Sequence, residues 1–389
     1  MSHPIYCVLK RELHRIWHFK PYLATLTILP LCATLFFAVI FTKGTPRDLP
    51  IVVADMSHSE LSRKVISMID ATPEVCVEFE CDNIPECKQM IRCGRVGAMV
   101  IIPPHFEQDI LGLNTTNIEA YISGTNILKN GLITKGLQSA IETFTAGTKI
   151  QILTQQGLSE KQALAQVMPI RFDEHILFNP YTNYNYYLSP SFISMMILIF
   201  TMLSTIFAIG SELKHSTASD WLASANGSIY KALIGKLLPI FTAMTLHAVI
   251  MFILLFEFIS VPLRGNFWVL FAGCEVFILS YIAVAVFIIA ITADMRLAMS
   301  LGGGYSVMAF SLSGLTFPTM AMHEGMQWLG HIFPFTYFTE IIIDQALRGA
   351  PIANSLLQIS HMMIFFLLPL ATLTRLNKIV NDSHYWGRA

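Results

Sequence analysis

The sequence predicts an α-helical polytopic membrane protein with six transmembrane helices and an extracytoplasmic α/β domain between the first and second helices. Three observations lead there. Apolar residues make up 54% of the 389-residue chain and charged ones only 13%, against about 25% charged in a typical soluble domain. The apolar residues fall in uninterrupted blocks instead of mixed periodic patterns. One long polar segment separates the first block from all the others. The net charge of −1 and the absence of basic clusters interleaved with aromatics give no sign of a nucleic-acid partner.

Residues 1–21 precede the first block. Tyr6, Leu9, Leu13, Ile16 and Trp17 share one helical face, and Lys10, Arg11, His14, Arg15 and His18 the other. That is the pattern of an amphipathic helix along a membrane interface, here a cytoplasmic one. The block itself, Tyr22 to Phe41, has 20 residues and no charge. At about 1.5 Å per residue it spans the roughly 30 Å hydrocarbon layer. It exceeds the roughly 7–15 apolar residues of a cleaved signal peptide, so 22–42 reads as a retained transmembrane helix.

Residues 43–186 hold 12 of the 25 Lys and Arg residues and read as a water-soluble domain. Ile51–Ala54 suits a buried strand, Glu60–Asp70 an amphipathic helix, Val75–Glu80 a half-buried strand and Ala98–Ile102 a buried one. Asn117–Ile122 is a further strand, before a long helix over about 126–156. Strands alternating with helices make a compact α/β domain.

The remaining apolar blocks cover roughly 190–210, 237–261, 267–292, 297–317 and 352–374, giving helices two to six within 187–374. Between the last two lies an interrupted segment, 317–351, marked by Phe317, Pro318 and Pro334 and rich in aromatics. It is too broken to cross and predicts a re-entrant or interfacial stretch, where irregular backbone is tolerated under protein cover. Orientation follows from Lys and Arg. One side collects Lys10, Arg11, Arg15, Lys20, Lys214, Lys231, Lys236, Arg296, Arg375, Lys378 and Arg388, and the short segments opposite only Arg264 and Arg348. Both termini, including the tail 375–389, are therefore expected in the cytoplasm and 43–186 outside it.

Cys76, Cys81, Cys87 and Cys93 fall within 18 residues of the outer domain, where an oxidising compartment allows disulfides. Their spacing lacks the short Cys-x-x-Cys turn of zinc sites, and no metal site is expected. Enzyme motifs are missing. No phosphate loop, His-Glu-x-x-His or Gly-x-Ser-x-Gly occurs, so the chain is not expected to be an enzyme or to carry a cofactor of its own. Any nucleotide energy must come from another polypeptide.

Two cytoplasmic features are candidates for receiving it. One is the N-terminal amphipathic helix. The other is the loop 211–236, in which Glu212, Lys214, His215 and Asp220 precede or flank a short apolar stripe at Trp221 and Leu222 that suits a groove on a partner. Inside the bilayer, ionisable residues are costly and point to function or to pairing with a neighbouring helix. Glu275 sits about two turns into its helix, and Glu257 lies nearer the outer end of its own. Both are candidates for a substrate path. Gly302-Gly303-Gly304 permits close helix approach.

The order of parts, with several short motifs, resembles the type-2 ABC exporter permeases, in their drug-export branch. Ile91-Arg92-Cys93-Gly94-Arg95-Val96-Gly97 through Ile102-Pro103-Pro104-His105-Phe106 is similar to that family's basic-Gly-x-Val … Ile-Pro-x-x-Phe stretch. Ser123-Gly124-Thr125-Asn126 resembles the turn that follows it. Ser313-Gly314-Leu315-Thr316-Phe317-Pro318 with Phe333-Pro334-Phe335-Thr336-Tyr337 resembles Ser-Gly-x-x-Phe-Pro … Pro-Leu-Thr-Tyr, and Gly235-Lys236 the Gly-Lys that opens the third crossing. The chain departs at Leu213–Thr217, where the family shows a basic-acidic cluster and Gly-Thr, and at Ile343-Asp344-Gln345 in place of Ile-Arg-Gly.

The resemblance implies a permease subunit that moves a hydrophobic or amphipathic substrate outward and is powered by a separate ABC ATPase holding ATP and Mg. It implies that Lys10, Arg11, Arg15, Glu212, Lys214, His215, Asp220, Trp221 and Lys236 couple to that ATPase. A second permease half, the same chain or a related one, a periplasmic adaptor and membrane lipid are the other implied partners, in a bacterial inner membrane. The competing reading is a membrane-anchored extracytoplasmic sensor or scaffold. An ion-coupled transporter would call for several intramembrane carboxylates or an inverted repeat, and neither is seen.

Overall fold

A computed structural model describes residues 4–42, 44–112, 114–168, 175–180 and 182–387; Arg388, counted above for orientation, lies outside them. The chain divides into a unit of residues 45–175 and a helical unit formed by the flanking segments.

The helical unit opens with α1 (Pro4–His18), then α2 (Lys20–Leu26) and α3 (Ile28–Ile40). α1 turns one stripe to the protein and leaves much of the apolar face read from the sequence uncovered. The stripe buried against protein is Val8, Glu12 and Ile16, whereas Tyr6, Leu13 and Trp17 are exposed. The first apolar block is interrupted at Thr27. Pro30 has no N–H to give to the carbonyl four residues back, that of Leu26. His247 Nε2 donates to this carbonyl instead, at 2.9 Å.

The 45–175 unit contains β1 (Leu49–Asp55), α4 (Glu60–Asp70), β2 (Val75–Glu80), α5 (Ile84–Arg92), β3 (Ala98–Ile102), α6 (Phe106–Leu111), β4 (Glu119–Ile122), α7 (Ile127–Gln155) and α8 (Glu160–Val167). The sheet order is β2-β1-β3-β4, with β1 parallel to β2 and β3, and β4 antiparallel to β3. β1 and β3 are apolar at almost every position because both faces are covered. Ile51, Val53 and Val100 pack in one core with α4 and α7, and Val52, Ala54 and Met99 pack in another with α5. Ser59 caps α4 by accepting from Ser62 N, and Asn126 caps α7 by accepting from Leu128 and Lys129 N. Of the four clustered cysteines, Cys81 and Cys87 form a disulfide, while Cys76 and Cys93 stay unbridged. Burial, and then the Asp70 carboxylate, pushes the Cys76 thiol above its ordinary pKa.

The chain returns to the helical unit with α9 (Tyr184–Lys214), α10 (Ala218–Ser224) and α11 (Ile229–Ile253), whose end continues as a π-helical turn, Leu254–Phe258. Then come α12 (Phe267–Thr292), α13 (Met295–Ser311), α14 (Glu324–Gly330) and α15 (Pro334–Ile342), the last running into a π-helical segment at Ile343–Arg348. α16 (Ile352–Met363) and α17 (Leu367–Asn381) are joined by a 3₁₀ turn. Among the described residues, five helices are long and apolar enough to cross a membrane: 20–40, 184–214, 229–258, 267–292 and 352–381. α13, read from sequence as 297–317, ends at Ser311 and has 17 residues, about 25 Å.

α9 and α12 are the most buried of the long helices and form the centre of the bundle. Gly302 of α13 lets that helix approach α9, since a Cβ there would stand 2.7 Å from Ile206 Cδ1. The segment read as re-entrant is divided. Phe317, Met320 and Trp328 are exposed, whereas Phe333, Phe335, Phe338 and Ile341 are buried in the bundle core.

Candidate functional site

Five charged side chains converge where α1 crosses the cytoplasmic-reading ends of α9 and α11. α1 contributes Arg11, Glu12 and Arg15, the last turn of α9 contributes Glu212, and the second turn of α11 contributes Lys236. The helices approach closely because residue 235 is glycine. A Cβ there would sit 2.8 Å from the carbonyl oxygen of Ile5 and from Val8 Cβ.

Glu212 is fully buried, and Arg11 grips it with two parallel bonds, Nη1 to Oε1 at 2.7 Å and Nη2 to Oε2 at 2.8 Å. Such paired contacts combine charge with fixed geometry. Arg15 also donates to Glu212, and its other terminal nitrogen reaches Ser211 Oγ at 2.6 Å. The Thr217 hydroxyl adds a bond to Glu212 Oε2. Lys236 is buried too, and its Nζ bridges the carboxylates, 2.5 Å from Glu12 Oε2 and 2.8 Å from Glu212 Oε1. Glu12 is further held by Arg15 at 3.2 Å and by the Tyr22 hydroxyl at 3.0 Å. Burying a charge is costly unless it is paired and hydrogen-bonded, and every member here meets that condition.

Trp221 seals the cluster from the α10 side. Its ring lies 5.0 Å from Lys236 Nζ and its Nε1 donates to Ala232 O at 3.2 Å. Sequence placed Trp221 and Leu222 as a stripe offered to a partner; both are buried in this chain's own core, so they brace the loop from inside. Lys10, His215 and Asp220 stay exposed and Lys214 is half-buried. Beside the cluster opens a cleft of about 720 Å³ lined by Cys7, Lys10, Arg11, His14, Arg15, His215 and Thr217. Its charge is one-sided. The expected coupling set thus separates into an inner joint (Arg11, Arg15, Glu212, Trp221, Lys236), an outer basic rim on the cleft (Lys10, His215), and Lys214 and Asp220, which belong to neither.

Sequence reading missed Glu12. The available signal was its spacing, one turn after Val8 and one before Ile16: a lone acid on an otherwise apolar stripe has to meet a buried cation.

A model of the ABC-2 family transporter proteins matches residues 20–374. The chain belongs to that family. Members are membrane subunits that work with an ABC ATPase, so this chain is an ABC transporter permease. The permease is 19% identical over 90% of its length, and 91% of the relative's, to the probable multidrug ABC transporter permease YbhR of Escherichia coli K12. It is 24% identical to the inner membrane transport permease YhhJ of Escherichia coli K12 and of Shigella flexneri, over 31% of its own length and 33% of theirs. No solved structure matches the permease.

The two acids read as a substrate path separate in space and character. Glu275 on α12 is half-buried and accepts from Thr245 Oγ1 of α11 at 2.6 Å. Its Oε1 is buried and meets no donor among the described residues. Glu257, in the π-helical turn, is exposed. Pro334 begins α15 and Phe317 stands exposed before it, so the three residues marking the broken segment do not form one site.

Proposed function

We propose that the permease is the membrane half of an ATP-driven exporter that moves a hydrophobic or amphipathic substrate out of the cytoplasm or inner membrane of a bacterium. The observation that carries this reading is the buried five-charge joint between α1, α9 and α11 beside a one-sided basic cleft. A joint of this kind ties a surface helix to two membrane helices, so a push on α1 or α10 is passed into the bundle.

The push comes from a separate ABC ATPase that holds ATP and Mg. An acidic face of that subunit seats in the cleft against Lys10, His14 and His215. Closure of two ATPases drives two such joints, and the path opens between two six-helix halves, α13 serving as the short sixth crossing. The second half is this chain or a related one, and a periplasmic adaptor takes the substrate from the outer units. The 45–175 unit lies outside the cytoplasmic membrane, a reading supported by the Lys and Arg distribution and by the Cys81–Cys87 bridge, which suits an oxidising compartment. The multidrug name of the YbhR relatives favours amphipathic drugs as substrates. Glu275 with Thr245 faces the path.

The test is a gentle affinity purification from native membranes with identification of co-purifying chains, using the natural permease and a Lys10→Glu, His215→Glu variant. Both positions are exposed, so the fold is kept. Recovery of a phosphate-loop ATPase with the natural chain and its loss with the variant is the expected result. Equal recovery removes the cleft from the reading. No ATPase in several detergents with nucleotide present turns it toward the anchored sensor or scaffold.

A further inference from the structure

α11, α12 and α17 leave a groove of about 410 Å³ between them, lined among others by Leu233, Leu237, Ile282, Val286, Leu370 and Leu373. Tyr230, at the start of α11, is the one lining residue with a polar side-chain atom. The groove runs along the half of these helices that carries the cytoplasmic charges: the first three turns of α11, the second half of α12 and the last turns before Arg375.

Two cations neighbour its lining residues in the chain. Lys231 follows Tyr230 directly and is exposed. Arg375, two residues past Leu373, is also exposed, and its Nη2 donates to the carbonyl of Ile291 in the last turn of α12 at 2.7 Å. That bond ties the guanidinium to the end of α12, the helix that forms one wall of the groove, while the side chain stays exposed. Among the described residues neither cation is paired with a carboxylate. An apolar slot ending in unmatched positive charge at a membrane surface fits one ligand chemistry: an acyl chain joined to an anionic headgroup.

We propose that this groove binds an anionic phospholipid of the cytoplasmic leaflet, one acyl chain lying between α11, α12 and α17 and the phosphate meeting Lys231 and Arg375. The placement rests on the orientation given under Proposed function. A second copy of the chain is the poorer occupant, because a two-fold contact on this face would bring the same two cations together.

The experiment is native mass spectrometry of the purified full chain offered phosphatidylglycerol or phosphatidylcholine of the same acyl length. The natural chain should retain phosphatidylglycerol about thirtyfold better, the scale set by two cations near a headgroup. Lys231→Gln with Arg375→Gln should abolish that preference while phosphatidylcholine retention stays unchanged. Leu370→Trp, at an exposed position in the groove wall, should lower retention of both lipids. Equal retention of the two lipids by the natural chain overturns the proposal. So does a preference that survives loss of both cations, or a paired chain that excludes lipid altogether. Lipid retention is read on the isolated chain and ATPase recovery in a separate purification, so each reading fails on its own result.

Discussion

Glu212 and Glu275 are both carboxylates on helices of an apolar bundle, and their surroundings could hardly differ more. Glu212 is met by two arginines, a lysine and a threonine hydroxyl drawn from α1, α11 and the loop before α10. Glu275 is met by one threonine, and one of its oxygens has no donor among the described residues. A buried charge with all its partners supplied by different elements locks those elements together. A carboxylate with half of its capacity unused is available to something that arrives. The first has the geometry of a joint, and the second is the carboxylate that the proposed function sets on the substrate path.

The largest expected effect breaks the joint. Lys236→Met removes the ammonium that bridges Glu12 and Glu212 and leaves two buried carboxylates sharing two arginines. The cost should be about 3–5 kcal/mol, the scale for breaking a buried pair. Thermal unfolding in detergent should show it as a large loss of folded protein; a variant as stable as the natural chain would mean that the joint is not a unit. Next comes Gly235→Ala, which puts a Cβ against the α1 backbone and Val8. Overpacking of this kind costs about 1–3 kcal/mol. Protease sensitivity should rise selectively at residues 1–21, and uniform sensitivity would argue that α1 is not seated on α11.

How much of this contrast could be read beforehand depended on whether a feature is local in the chain. The apolar blocks, the strands at 51–54 and 98–102 and the long helix near 126–156 were legible, because each depends on a local run or period. Several elements of the joint were legible as charges on the side read as cytoplasmic. Their pairing was not, since Arg11 and Glu212 are 201 residues apart and Glu12 and Lys236 224 apart. The stripe of α1 that meets protein was hidden for a related reason. Both its apolar stripes suit a helix, and only the position of α11 decides which one meets protein. Trp221 read as a docking residue because burial by a distant segment leaves no mark on a seven-residue stretch.

On the other side of the comparison, Glu275→Gln keeps the Thr245 contact and removes a charge. Stability should change by less than about 0.5 kcal/mol, well under the losses expected for the joint. Export of cationic amphipaths should fall while export of neutral ones is retained, measured by dye efflux from vesicles. Loss of both alike would make Glu275 a packing residue. The smallest expected effect concerns the outer unit. The Cys76 thiol is pushed up by burial and Asp70, so less of it is thiolate at neutral pH. Alkylation of the unreduced chain should label exposed Cys93 ahead of Cys76, with the Cys76 rate still climbing above pH 9, roughly the ordinary thiol range. Rapid, equal labelling would contradict the packing assigned to β2.

If the joint transmits the ATPase stroke, Glu12→Gln interrupts it. The substitution keeps the shape of the side chain and weakens its contacts to Lys236 and Arg15. The measurement is transport and ATP hydrolysis together, in vesicles holding the permease with its ATPase. Hydrolysis should stay close to the natural rate while transport per ATP falls about tenfold, the scale of one charged hydrogen bond lost. Unchanged transport per ATP in a variant that still assembles with its ATPase would contradict it.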